Sequence, residues 1–369
     1  MLSEPQPVGG AERSAQTLLV GATAWDADNP YPRIINSELA RLGVEVRELP
    51  LTDWLRSPDR RRVVISLHWL SHLFRPQSPI VSSWSTAAYL ALVLALKLRG
   101  ARFIWTFHNT HNHEQNHPRL EKLAQWVLVR LVDRVVCLTE FGAQRIESSF
   151  GEAVSAKCAV IPHPTYGDYY GPRIDRGEAF AKLGLRRSGV HFLFFGRVNR
   201  YKQVPGLLTT FSSLDMADAR LAVVGQAESD EYASFISDLA ASDPDIILRL
   251  ERADDEAVVA WFSVADWLVL PYTNTLNSGV LHLAITMGQP MILPDTPAFR
   301  SALTPDGPGV LWYHTEAGGL ETALRGAAEM TPEEYRAHEA GVMAHAALRT
   351  PEMIAGQFRD LLVELVRAK

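Results

Sequence analysis

Cysteine is scarce in this 369-residue chain: there are two, Cys137 and Cys158, each inside an apolar, strand-like segment. That excludes a disulfide framework. A single bridge is formally open, but buried reduced thiols are the expectation for a chain of this size. Positive charge is also short, with 36 Lys and Arg against 42 Asp and Glu, a net −6 without a long run of either sign. A protein whose main partner is nucleic acid carries a basic balance or stripe, so that class is set aside. Long apolar runs are missing too. The first sixteen residues (MLSEPQPVGGAERSAQ) hold no apolar core of a signal peptide. The most apolar stretch, Ala87–Leu98 (AAYLALVLALKL), falls short of the roughly 18 residues that a bilayer span needs. It reads as a buried helix, and a cytoplasmic protein without a transmembrane segment is expected.

What is present is apolar residues in a particular order. A 47% hydrophobic and 21% charged composition suffices for full globular cores, and the length suits two domains at about 150 residues each. Short apolar runs alternate with helix-length amphipathic segments. Leu18–Val20, Val63–Leu67, Phe103–Phe107, Val135–Leu138 and Ala159–Ile161 are predicted strands of the first half. Phe192–Phe195, Leu221–Val224, Ile246–Leu248, Trp267–Leu270 and Met291–Leu293 repeat the theme in the second. Runs apolar throughout, rather than alternating, belong to parallel sheets covered on both faces. The expectation is α/β, two Rossmann-like doubly wound units that bind ligands at the carboxyl ends of their strands. The polar, Gly/Pro-marked segment Tyr166–Arg176 (YGDYYGPRIDR) is the seam. It divides the chain into an N-terminal unit, 1–172, and a C-terminal unit, 173–345. Helices over about Pro332–Ala347 and Pro351–Ala368 follow, with 346–369 returning to the first unit.

Two segments carry chemistry. In HFLFFGRVNRYKQVPGLLTTF (191–211) a buried strand ends at Phe195, Gly196 permits a tight turn, and Arg197 and Lys202 project from the loop before a helix. Two cations beside free helix amides suit a diphosphate; a solvated surface loop is the bland alternative. In PYTNTLNSGVLHLAITMGQPMILPD (271–295) Asn277, Ser278 and Gly279 sit where a helix should start. Ser278 is a natural N-cap, and Gly279 leaves space for a phosphate near the backbone. Together these loops form a candidate phosphate clamp. The loop TFHNTHNHEQNH crowds His108, His111, His113 and His117. Without a neighbouring Cys pair it is read as a polar loop facing the cleft, not as a metal site. No Asp-x-Asp triplet lies in the two phosphate-clamp segments to carry a metal-bound diphosphate, and Asp254–Asp255–Glu256 reads as a solvated helix start. No metal or cofactor is expected.

At these residues the chain resembles the retaining glycosyltransferases of family 4 and their GT-B relatives. FGRVNRYKQVPGLLTTF is similar to their Gly-Arg…Lys loop, and ADWLVLPY with SGVLHLAITMGQPMILPD to the stretch ending in their Gly-x-Pro turn. DNPYPRIINSELARLGVEV, WTFHNTHNHEQNHPRLEKLAQWVLVRLVDRVVCLTEF and VIPHPTYGDYY extend the likeness over about residues 17 to 330. The resemblance implies a GT-B fold and transfer of a hexose from a nucleoside-diphosphate sugar, the co-substrate, to an acceptor hydroxyl. It implies that Arg197 and Lys202 neutralise the leaving diphosphate and that His108 faces the transferred sugar. The turn at Gly196, the Asn277–Ser278–Gly279 backbone and Arg252, near the base, would bind the donor. Trp25, Asp26, Asn29, Tyr31 and Glu114 are the acceptor-side candidates, with a packed loop the alternative for Trp25, Asn29 and Tyr31. The family's Glu-x7-Glu pair is absent: its places fall on Thr275 and Leu283. Ribose recognition must therefore differ from the family's; retention is still the expectation, with inversion as in some exopolysaccharide or glycolipid mannosyltransferases as the alternative. Inversion needs a base, for which Asp26, Asp28 and Glu114 are candidates. A hydrolysing epimerase, a phosphorylase and a non-catalytic nucleotide-sugar-binding subunit are the further alternatives. The acceptor classes this admits are a saccharide, a glycolipid or a small molecule, with peripheral membrane contact compatible with each.

Overall fold

A computed structural model of the chain describes residues 19–22, 29–58, 63–74, 78–109, 117–216, 218–303, 307 and 309–367. The first half runs β1 (Leu19–Ala22), α1 (Pro30–Arg41), β2 (Glu45–Glu48), α2 (Leu51–Trp54), β3 (Val63–Leu67) and α3 (Pro79–Leu98). It continues with β4 (Arg102–Phe107), α4 (Pro118–Leu131), β5 (Arg134–Cys137), α5 (Glu140–Phe150), α6 (Glu152–Ser155) and β6 (Cys158–Val160). The second half runs α7 (Arg176–Leu183), β7 (Val190–Phe195), α8 (Val204–Ser213), β8 (Ala219–Val224), α9 (Asp230–Ala240) and β9 (Ile246–Arg249). Then come α10 (Asp255–Val264), β10 (Trp267–Val269), α11 (Gly279–Thr286), β11 (Met291–Pro294), α12 (Pro297–Ala302) and β12 (Val310–Tyr313). The helices α13 (Gly319–Ala328), α14 (Pro332–Ala347) and α15 (Pro351–Arg367) close the chain.

The strands form two six-stranded sheets in the orders β2-β1-β3-β4-β5-β6 and β12-β11-β10-β7-β8-β9. Every pairing is parallel. Period-2 geometry sorts the first sheet's side chains onto two faces. Val63, Ile65, Phe103, Trp105 and Val135 join the core beneath α3 and α4. Val20, Val64, Ile104 and Val136 join the core beneath α1 and α15. The helix at the far end of the chain thus covers the N-terminal sheet, through Ile354, Ala355, Phe358, Leu361, Leu362 and Leu365. Cys137 and Cys158 are both free thiols on neighbouring strands.

Two strands have no counterpart among the predicted apolar runs: β2, with the sequence EVRE, and β12, with VLWY. Both are edge strands. An edge strand has one neighbour and stands partly in water, so it tolerates charge and needs no continuous apolar run. The expectation of a buried helix at Ala87–Leu98 is corrected. The helix is longer, Pro79–Leu98, and only 22% of its apolar window is buried. Ser82, Thr86, Val93 and Leu96 face the sheet, while Ile80, Trp84, Leu94 and Leu98 face outward. One helix layer covers this sheet face and nothing described lies above it. By length and composition it is the one helix among the described residues that could cross a membrane. As the β3–β4 crossover, however, it lies along its own sheet.

Candidate active site

In each sheet the chain first builds strands outward from one strand and then returns to its other side. The switch falls between β1 and β3 in the first sheet and between β7 and β10 in the second. Loops leaving the carboxyl ends of such strand pairs diverge and leave a crevice between them. The two crevices face each other across one cleft of about 850 Å³. It is lined by Asn29 and Tyr31 after β1, Trp69 after β3, His108 and Asn109 after β4, and His163 and Tyr166 after β6. From the second sheet come Gly196, Arg197 and Lys202 after β7, Gly225 and Gln226 after β8, Arg252 after β9, and Tyr272–Gly279 after β10.

The β7 loop is built for a close approach. Gly196 has φ +103°, and a Cβ there would lie 2.9 Å from Val280 Cγ2 and 3.2 Å from Lys202 Nζ. Arg197 is exposed on the cleft wall. Lys202 is buried, its ammonium 5.4 Å from the Tyr272 ring centroid and 5.8 Å from that of Phe194. Burial, and then the neighbouring Arg197 charge, push its pKa down from 10.5 to about 8. Among the described residues no carboxylate pairs with it. An ammonium kept out of water without a counter-ion is costly unless an anion arrives.

The expected convergence of a second helix start on this spot is corrected. Gln203 adopts a left-handed conformation (φ 55°) between Lys202 and α8. The start of α8 therefore borders a separate cavity with Thr273 and Glu316. The helix that does open on the cleft is α11. Ser278 is its N-cap and accepts from the Leu281 amide at 3.2 Å. Its hydroxyl also meets the Tyr272 hydroxyl at 2.6 Å. The remaining first-turn amides and the positive end of the helix dipole are available to an anion. Asn277 is held by His282, whose Nε2 lies 3.0 Å from its Oδ1. His282 stacks on His163 at 3.9 Å, nearly parallel, and Tyr166 donates to the Gly279 carbonyl at 3.2 Å. The segment after β6 thus clasps the start of α11.

On the opposite wall His108 sits at the end of β4, buried and stacked on Trp69 at 4.0 Å. Its Nε2 lies 3.1 Å from His68 Nδ1. Burial first, then His68 and His163, hold its pKa well below 6.5; His68 and His163 themselves are pushed down to about 4, mainly by burial. All three imidazoles are neutral at pH 7, able to share protons but not to act as fixed cations. Asn29 caps α1 by accepting from the Tyr31 amide at 3.0 Å. Tyr31 belongs to the first turn of α1 rather than to a loop. It is fully buried, edge-on to His108 with ring centroids 5.1 Å apart, and so supports His108 from behind instead of offering an open stacking face.

Trp25, Asp26, Asp28, His111, His113 and Glu114 lie outside the described residues. The histidine loop does spell His113-Glu114-Gln115-Asn116-His117, the letter pattern of a zinc-binding helix. His117, however, has a non-helical backbone (φ −139°, ψ 64°) and precedes α4, which begins at Pro118. It therefore does not stand on a helix as that pattern requires. Among the described residues no group of three His, Cys, Asp or Glu could hold a metal ion.

Sequence reasoning passed over Trp69, His163, Tyr166, Gln226, Asp255, Tyr272 and His282. Trp69, His163 and Gln226 follow the carboxyl ends of strands, a signal the fold class already supplied. Asp255 is more than a solvated helix start: Asp254 caps α10 by accepting from Ala257, while Asp255 lines the cleft near Tyr170.

This two-sheet architecture is that of a GT-B glycosyltransferase. Residues 8–165 match the family described as Glycosyltransferase Family 4 and residues 189–329 that described as Glycosyl transferases group 1; the chain belongs to this glycosyltransferase group and is a transferase. A GDP-mannose:glycolipid 4-beta-D-mannosyltransferase of Xanthomonas campestris pv. campestris is 26% identical over 263 residues, 71% of this chain and 69% of that protein. A D-inositol 3-phosphate glycosyltransferase of Catenulispora acidiphila is 25% identical over 312 residues, 79% of this chain and 70% of that protein. Among solved structures, sucrose-phosphate synthase from Thermosynechococcus elongatus superposes with TM-score 0.70 at 16% identity, covering 95% of this chain and 100% of that one. Anabaena HepE in complex with UDP-glucose does so with TM-score 0.70 at 11% identity, covering 94% and 99%. These two likenesses concern the fold.

Proposed function

We propose that the chain transfers a hexose from a nucleoside-diphosphate sugar to an acceptor hydroxyl without a metal ion, with GDP-mannose as donor and a glycolipid as acceptor class. The observation that carries the reaction type is the meeting, at the β7/β10 switch point, of buried Lys202, Arg197 and the amino end of α11. As the glycosidic bond breaks, charge grows on the bridging diphosphate oxygen. Fixed cations and amides aimed at that oxygen stabilise the transition state more than the ground state. They do the work a metal ion does elsewhere. The donor and acceptor classes rest on the activity for which the Xanthomonas relative is named, and a cytoplasmic donor pool is the setting this implies.

A β-linked product from an α-linked donor requires inversion, and hence a base on the acceptor side. Asp26, Asp28 and Glu114 are the candidates, and the absence of a carboxylate at Thr275 and Leu283 fits a departure from the retaining pattern. The second reading is retention, in which the leaving phosphate oxygen takes the acceptor's proton. It is favoured by the neutral imidazoles around His108, beside which the described cleft residues of the first unit include no carboxylate.

The test is turnover of GDP-mannose with a lipid-linked saccharide, with and without a chelator, and the anomeric configuration of the product read by NMR. Arg197→Ala and Lys202→Met should each lower kcat by about 10²–10³-fold. Full activity in both variants, or activity abolished by chelation, overturns the proposal.

A further inference from the structure

We propose that the outer face of α3 and α4 is a docking surface for an anionic lipid bilayer. The inner face of α3 is spent on the sheet, yet its outer face is apolar as well. Ile80, Trp84, Ala87, Ala91, Leu94 and Leu98 all stand exposed at spacings of four and three residues, which keeps them on one stripe. Trp84 is 75% exposed and Leu98 80%. A shallow hollow of about 450 Å³ opens among Pro79, Ile80, Ser83, Trp84 and Ala87 at the helix start. The neighbouring α4 adds exposed Leu123 and Trp126, with the Arg130 guanidinium 3.6 Å above the Trp126 ring. A contiguous apolar face of this kind is unusual on a surface left in water.

Charge selects the occupant. Among the described residues, the exposed charges on these two helices and at their ends are Arg99, Arg119, Lys122 and Arg130, all positive. Lys97 is neutralised by Asp133 at 2.9 Å. The only acid in the two helices, Glu121, is buried. This face is therefore cationic on a chain whose net charge is −6. Apolar and aromatic side chains rimmed by Arg and Lys are the composition of an interfacial helix, where rings enter the headgroup layer and cations meet lipid phosphates. A second copy of the chain fits less well. Two-fold pairing would set the same cations against one another with no exposed acid on either helix to answer them.

The position is also apt. In a parallel sheet both helices begin at the carboxyl ends of the strands, on the side of the cleft. Trp69 and Asn109 of the cleft come before the starts of α3 at Pro79 and α4 at Pro118 in the chain. A bilayer against this face would lie beside the cleft's acceptor wall.

The experiment is co-sedimentation of the full chain with phosphatidylcholine vesicles, with and without phosphatidylglycerol, in low and high salt. The reading predicts binding that requires the anionic lipid and weakens as salt shortens the Debye length. Trp84→Ser with Leu94→Ser should lower the partition at least about tenfold. Arg119→Gln with Lys122→Gln should lower it about thirtyfold in low salt. All four side chains are exposed, so thermal unfolding should be unchanged. Wild-type protein that stays in the supernatant, or variants that sediment as well as wild type, overturn the proposal. So does a dimer in light scattering that Trp84→Ser with Leu94→Ser converts to monomer without any vesicle binding. The readout needs no turnover, so its failure and that of the sugar-transfer reading are distinguishable.

Discussion

Lys202 shows how far one residue can be read before its surroundings are known. Its place in a Gly-Arg…Lys loop pointed to phosphate, but its burial did not follow from the letters, because the wall that dries it joins Phe194 of its own strand β7 to Tyr272 from the distant β10 loop. That burial has a measurable consequence. With a folded pKa near 8 against 10.5 unfolded, the unfolded chain binds more protons between those values. Lys202 therefore favours folding above pH 10.5, and this is lost as pH falls through 8, a difference of about 3 kcal/mol. A bound diphosphate restores the charged form. GDP binding near pH 9 should accordingly take up close to one proton, seen as a dependence of calorimetric heat on buffer ionisation enthalpy, and Lys202→Met should abolish the uptake. His163 and His282 were missed for the converse reason. Each looked like an isolated histidine, and their stacking depends on the segment after β6 crossing onto α11.

Among elements, the central strands were legible because burial on both sides leaves only apolar residues acceptable; β2 and β12 were not, because an edge asks less of its sequence. The α11 start was legible from Ser278 and Gly279 alone, since capping is local chemistry. What the capping rule did not reveal is that the same hydroxyl holds Tyr272 at 2.6 Å. Ser278→Ala removes both the cap and the partner of a buried phenol. The expected cost is about 2 kcal/mol, read as a lower urea midpoint with unchanged m-value. Ser278→Thr keeps the oxygen and should lose less. For α3 the letters misled, because an apolar helix is the same string whether a core, a lipid surface or a partner receives it. Only the topology shows that its outer face has no protein layer.

For the whole molecule, the doubly wound plan could be read from the order of runs, while the meeting of the halves could not. Their contacts are specific. The Phe141 amide donates to Ser301 Oγ at 2.9 Å, and Leu276 of the β10 loop is buried in the N-terminal core. Arg134 meets Glu364 on α15. Phe358, 4% exposed in the core between α15 and the N-terminal sheet, is the most telling position. Phe358→Ala should destabilise the protein by about 3–4 kcal/mol, and the loss should appear as a single shifted transition if the helix is integral to that sheet's core, or not at all if it merely rests there.

The same helix bears on how the chain is made. Val20, Val64, Ile104 and Val136 leave the ribosome long before residues 351–367 exist to shelter them. During synthesis the N-terminal sheet must wait with one greasy side sheltered by α1 alone while the entire second unit is translated. Complete burial of that core has to await the most distant helix, which makes the nascent polypeptide a natural client for a holding chaperone.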